Sequence, residues 1–197
     1  MTSTSLELSG DFLILAQDAP GVGARLLALA QLHWAYTDRF AEILAFRGPL
    51  LSDDGTQHAG SLHLLRATDA ATAQRFAEEE PYHRAGLFDR VSVQRMRVLR
   101  CVPAGTPDDA PAGIACSFVS ASWAPRALTS TPAPDSVGWP WLLLGLMLNH
   151  EGLCQGAAGV LTEPPTSAQG QMRAWLRDAG FGTDTVQAHR WRRGGRR

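Results

Sequence analysis

The chain has 197 residues, 45% hydrophobic and 19% charged, with a formal net charge of -1. That composition builds a packed core in one medium domain or two small ones, and it argues against wholesale disorder and against nucleic acid as a partner, because neutralising phosphates needs a basic face. Every basic side chain is arginine and none is lysine, which excludes Schiff-base chemistry and a phosphate-loop lysine.

Phe12 to Asp18 (FLILAQD) is a short apolar run bounded by turn residues and reads as a buried strand. After the Pro20-Gly21 reset, apolar residues recur at Leu26, Leu29, His33, Tyr36 and Phe40 between Ala24 and Glu42. That three-and-four spacing predicts an amphipathic helix with His33 on its inward stripe. ILAFRGPLL predicts a second strand ending at Gly48-Pro49, SDDGTQHAG a turn-rich connection, and Ser61 to Asp69 a third, alternating strand. Thr68-Asp69 offers an N-cap for a helix through ATAQRFAEEE that stops at Pro81, since proline disfavours helix in the residue before it. Val91 to Leu99 closes the unit as a fourth strand. The order β-α-β-β-α-β predicts an α+β, ferredoxin-like domain: four antiparallel strands with both helices on one face and the other face needing cover.

PAGTPDDAPAG, residues 103–113, has the composition of a linker. The expected division is therefore residues 1–102, a linker at 103–113, and a diverged second α+β unit over 114–197. The second half reads as the strand GIACSFVSAS, a Pro/Ser/Thr-rich excursion, the apolar segment WPWLLLGLMLNHEG, a strand GAAGVL, a helix SAQGQMRAWLRDAGF and a last strand TVQAHRWRR. This loosely echoes the first half and predicts a degenerate tandem repeat, one copy covering the bare sheet of the other as an α+β barrel.

Cys101, Cys116 and Cys154 are odd in number and far apart, so they support neither a disulfide framework nor a CxxC site. The N-terminal segment MTSTSLELSGDF lacks the basic stretch and apolar run of a secretory signal, and the apolar segment is shorter than the roughly 20 residues that span a bilayer. A cytoplasmic protein with no membrane partner is the expectation. Trp139 and Trp141 read either as core or as the lining of an aromatic pocket. The C-terminal RWRRGGRR reads as a frayed, solvated tail.

Four blocks occur in order: FLILAQD-x-P, a helix bearing His33, RGPLLSDDG before GSLHLL, and EEEPYHRAGLFDRVSV. Together they resemble the YCII-related (YciI-like) family over Phe12 to Leu99. That family is similar to the dimeric α+β barrel proteins, in which two ferredoxin-like units face each other, usually across a homodimer. The resemblance implies a barrel closed either within one chain, as a monomeric pseudo-dimer, or between two chains. It implies a pocket centred on His and Asp, with His33 matching the helix histidine and Asp18 the carboxylate after the first strand. Arg25, Pro49, Gly60, Ser61 and Tyr82 are the implied substrate contacts. One enzymatic member of the family eliminates hydrogen chloride from a chlorinated hydroxyhydroquinone. The chain departs from the family pattern in having Glu80 where Asp usually precedes Pro-Tyr, and an uncharged helix face where members often carry arginines, Arg25 being an approximate counterpart.

Histidine exchanges protons near neutral pH, and a carboxylate partner fixes its tautomer. His33 with Asp18 therefore suits a cofactor-independent lyase, isomerase or cyclase acting on a hydroxylated or chlorinated ring or a polyketide-like substrate. The alternative is a non-catalytic metabolite-binding or accessory protein, since a lone histidine on an apolar helix face is often a hydrogen-bonded core residue. Asp18 reads either as the partner of His33 or as a cap, because His33 stands roughly 13 Å along the helix at 1.5 Å per residue. Asp53 and Asp54 precede Gly55 as turn formers. His58, His63, His83, His150 and His189 lack metal-ligand spacing, and Gly21-Val22-Gly23 lacks the third glycine of a dinucleotide fold, so no metal and no cofactor are expected.

Overall fold

A computed structural model describes residues 10–106, 109–110, 114–128, 140–182 and 185–194. In the first half, β1 (Gly10–Asp18), α1 (Gly23–Asp38), β2 (Leu44–Leu51), β3 (His58–Ala67), α2 (Ala70–Glu79), a four-residue α3 (Pro81–Arg84) and β4 (Phe88–Cys101) follow one another. The second half supplies β5 (Cys116–Arg126), β6 (Trp141–Leu148), β7 (Cys154–Leu161), α4 (Pro165–Asp178) and β8 (Thr185–Trp191). The apolar segment expected to be a core element is β6, whose first six residues are buried, and no helix among the described residues is long and apolar enough to cross a membrane.

Local chemistry accounts for the helix boundaries. Asp69 caps α2 by accepting the Thr72 N–H at 2.6 Å. Pro81 holds Glu80 extended at φ -61°, ψ 131°, ends α2 and then occupies the first turn of α3. The short α3 is absent from the sequence reading, where EEEPYHR shows only the stop.

All eight strands close one antiparallel barrel in the order β1-β3-β2-β8-β5-β7-β6-β4. The first half contributes β4-β1-β3-β2 and the second β8-β5-β7-β6, which is the same order of equivalent strands. The tandem ferredoxin-like barrel expected from sequence is thus the fold of this chain. It closes at two unequal seams. Between β4 and β6 the pairing runs from Arg95↔Leu148 to Cys101↔Leu143, whereas β2 and β8 pair only at Leu50↔Trp191 and Leu51↔Arg190.

An eight-stranded barrel is just wide enough for side chains to fill it. Leu13, Phe46, Leu62, Leu64, Met96, Phe118, Leu143, Val160 and Trp191 do so here. Outside the barrel, α4 covers the second sheet through Met172, Trp175 and Leu176, with Trp141 beneath it as core; Trp139 lies outside the described residues. On the first sheet, Phe12, Ile14 and Leu65 pack against Tyr36 of α1 and Phe76 of α2. The interior is therefore occupied by side chains.

The C-terminal segment differs from the expected frayed tail. Through residue 194 it lies along β2: Gly194 N–H donates to Arg47 O at 3.0 Å, and the Arg193 guanidinium sits 4.2 Å over the Phe46 ring and pairs with Asp109. Residues 195–197 lie outside the described residues.

Candidate active site between α1 and the outer face of the first sheet

A cavity of about 500 Å³ opens between α1, α3 and the outer face of β2 and β3. One wall is apolar, formed by Leu26, Leu27, Ala30 and Trp34 of α1. His33 lines it from the same helix, and Asp18, His58, Ser61, His63 and Tyr82 line it from β1, β3 and α3. Leu27 and Trp34 are exposed at its mouth.

Asp18 and His33 line the same cavity but belong to different pairs. His33 Nδ1 lies 2.6 Å from Glu80 Oε1, and Asp18 Oδ2 lies 2.6 Å from His58 Nδ1. An ionised carboxylate only accepts hydrogen bonds, so each ring carries its proton on Nδ1 and presents Nε2 as the free nitrogen. The expected Asp18–His33 partnership is therefore corrected to two histidine–carboxylate pairs. The reason is distance: His33 stands ten residues into α1, about 15 Å along its axis at 1.5 Å per residue. Nor does Asp18 cap the helix, since the N-cap of α1 is Val22 and no side chain caps it.

Glu80 is positioned by the acidic-Pro-Tyr block. Its backbone is the N-cap of α3, Oε2 accepts the His83 N–H at 2.9 Å, and Oε1 is left for His33. The side chain is almost fully buried. Tyr82 then stacks on the His33 ring at 4.5 Å and 5°, with the His58 ring 6.3 Å away edge-on. Burial, with Glu80 and Asp18 nearby, pushes the Tyr82 hydroxyl up to about 12, so it remains a neutral phenol able to donate.

His58 reaches the cavity through an irregularity in β3. Leu50 pairs with Gly60, but the next residue, Leu51, pairs with His58, leaving Ala59 as a bulge. Strict alternation would place His58 on the same face as Gly60 and Leu62, inside the barrel. The extra residue turns it to the outer face beside Asp18. The sequence places His58 in a turn and offers no sign of the bulge.

One oxygen of Asp18 lacks a partner. Oδ1 is buried without a hydrogen bond, and the whole side chain is only 7% exposed. Buried carboxylate oxygens are ordinarily satisfied, and this one belongs to a residue that lines the cavity. His63, deeper, is 5% exposed with its ring 6.0 Å from that of His33. Burial, then the positive charges of His33, Arg47 and His58, pushes it down to about 3, so it is a neutral imidazole at physiological pH.

The remaining expected contacts divide. Pro49, Ser61 and Tyr82 line the cavity. Arg25 does not: its guanidinium donates to Ala85 O at 2.8 Å and ties α1 to the end of α3. Gly60 does not either, and is there for backbone packing, because a Cβ would meet Ala16 O at 2.2 Å. Asp54 accepts from Ser52 and Thr56 within the turn, as a turn former does. Among the described residues no group of three or more His, Cys, Asp or Glu is placed to hold a metal ion.

Residues 11–97 match the family model of the YCII-related domain. No curated protein matches the chain. Among solved structures, the 5-chloro-2-hydroxyhydroquinone dehydrochlorinase TftG from Burkholderia phenoliruptrix AC1100, in complex with 2,5-dihydroxybenzoquinone, is similar at 27% identity and TM-score 0.42, covering 44% of this chain and 93% of that one. Two proteins bearing monooxygenase names match nearly the whole chain. One, from Lactobacillus acidophilus NCFM, has 8% identity and TM-score 0.53, covering 94% of both chains. The other, FN1347 from Fusobacterium nucleatum subsp. nucleatum ATCC 25586, has 5% identity and TM-score 0.52, covering 94% of this chain and 93% of that one. At those identities the two share the fold with this chain and nothing more is carried over.

Proposed function

We propose that this chain, whose residues 11–97 are a YCII-related domain, is a small-molecule enzyme that moves protons with two histidine–carboxylate pairs facing one cavity. The observation that carries the reading is the pairing itself: His58 with Asp18 and His33 with Glu80, each at 2.6 Å, with both rings lining a cavity of about 500 Å³. A carboxylate on Nδ1 orients an imidazole and supports its charged form, and Nε2 then takes or gives the proton. Two such groups serve reactions in which a proton leaves one atom and another is delivered elsewhere. In an elimination, one neutral imidazole takes a substrate proton and the freed electron pair becomes the new π bond. The leaving group departs with its bonding pair and takes a proton from the second ring, present as imidazolium. In an isomerisation the second ring protonates carbon or oxygen instead. Hydroxylated or chlorinated rings and polyketide-like enols are the substrate classes whose acidic protons suit this chemistry, with a lyase, isomerase or cyclase outcome.

The test is solvent-deuterium exchange into enolisable and hydroxylated ring compounds, followed by NMR. The wild-type protein should accelerate exchange in at least one member of such a panel. His58→Ala and His33→Ala should each reduce it by about a hundredfold, the ordinary worth of a general acid or base. Exchange that proceeds at the wild-type rate in both variants would retire the reading.

A further inference from the structure

The cavity belongs to the first half of the chain, yet part of its rim comes from the second. Past Trp191, β8 continues alongside β2, with Arg192 N–H donating to Pro49 O at 3.4 Å. Trp191 points into the barrel, where its ring stacks on Phe46 at 5.0 Å. Strand alternation therefore sends the next side chain, Arg192, to the outer face beside Pro49, and both residues line the cavity.

Arg192 stands apart from the other charged side chains that line this cavity. Arg47 is paired with Asp38 at 3.3 Å, His33 with Glu80 and His58 with Asp18, each at 2.6 Å. The neighbouring Arg193 turns the other way, to Asp109. Arg192 is exposed and makes no ion pair or side-chain hydrogen bond among the described residues. The N-terminus of α1, which also borders the cavity through Gly21 and Gly23, has no acidic residue in its first turn, so the local field at that end is positive as well. Against these stands the buried, unpartnered Oδ1 of Asp18, which calls for a donor.

We propose that Arg192 is the specificity residue of this cavity and that the ligand is a small hydroxylated carboxylate. Its carboxylate meets Arg192, its hydroxyl donates to Asp18 Oδ1, and its apolar body lies on Leu26, Ala30 and Trp34. The proposal rests on the cavity being the ligand site. It places anion recognition on the second unit, where the helix face of α1 supplies no free arginine. A guanidinium suits this because its fork matches a carboxylate in two parallel bonds.

The experiment is calorimetric titration of the full chain with 2-, 3- and 4-hydroxybenzoate and 2,5-dihydroxybenzoate, each against its methyl ester. At least one carboxylate should bind about tenfold more tightly than its ester, the scale of one charge-assisted bond at a partly exposed site. Arg192→Gln should abolish that preference without changing ester affinity, and Arg192→Lys should retain part of it. A preference that survives Arg192→Gln, an equal loss for acid and ester, or no carboxylate binding at millimolar concentration would overturn the proposal. Proton exchange measured on the same wild-type and Arg192→Gln proteins keeps the outcomes separable. A carboxylate preference that follows Arg192 in a protein with no proton exchange retires the enzymatic reading alone, and exchange without the preference retires this one alone.

Discussion

Asp18 presents Oδ2 to the His58 ring at 2.6 Å and keeps Oδ1 buried with no hydrogen-bond partner. A folded protein carries such an atom at a cost in stability, because an unsatisfied buried acceptor forfeits its hydration. The cavity that Asp18 lines also holds the His33 and His58 rings, so the cost falls where a ligand would recover it.

Asp18→Asn removes that charge while keeping the shape. Thermal stability should stay level or rise, since a neutral amide is cheaper to bury than an incompletely satisfied carboxylate. Proton exchange should fall by about a hundredfold or more, because an amide on Nδ1 no longer fixes the productive tautomer. Thermal unfolding and exchange measured on one preparation check both; a fall in melting temperature with full activity would reverse the interpretation.

Glu80 serves structure and site with different oxygens. Glu80→Gln can still cap α3 and should unfold within about 1 kcal/mol of wild type, yet lose at least tenfold in exchange as His33 loses its charged partner. Glu80→Ala should lose the cap too and cost about 1–2 kcal/mol in denaturant unfolding.

His63 ties stability to pH. Its imidazole is held neutral in the folded protein down to about pH 3, whereas the unfolded chain takes up that proton near 6.5. Between those values the unfolded state binds more protons, so stability falls as pH falls through the window. His63→Asn should flatten the dependence of unfolding free energy on pH between 3 and 6.5, by up to about 1.4 kcal/mol per pH unit for one proton. Urea titrations of both proteins across that range measure the difference.

Gly48 guards the weaker seam of the barrel. A Cβ there would stand 2.1 Å from Arg192 O and 2.6 Å from the Trp191 ring. Gly48→Ala should therefore push β8 off β2 and destabilise by about 2 kcal/mol or more, and it should weaken ligand binding because Arg192 moves with the strand. A variant that unfolds like wild type would show that the seam yields without loss.

The barrel closes with strands of a single chain, so the particle mass by light scattering should equal one chain at micromolar concentration. A stable two-chain mass would mean that a surface outside the barrel sheet carries an interface.

Local pattern set much of this molecule. Strand runs and helical spacing placed six of the seven elements of the first half, all but α3, the Asp69 cap was legible from Thr68-Asp69, and His33 was legible on the inward stripe of α1 because a side chain's face on a helix follows from a 3.6-residue period. The acidic-Pro-Tyr block also marked Glu80 and Tyr82, although not what they touch. The chemistry of the site needed the tertiary structure. Whether His58 faces the barrel or the helices turns on one bulged residue, Ala59, and strand register is decided by pairing across the sheet rather than by the strand itself. Which carboxylate meets which histidine depends on where α1 runs relative to the β1 end and the α2–α3 junction. Arg192 reaches the cavity only because the last strand returns beside β2, more than a hundred residues away in sequence; periodicity reads faces within an element, and only closure of the barrel brings these faces together.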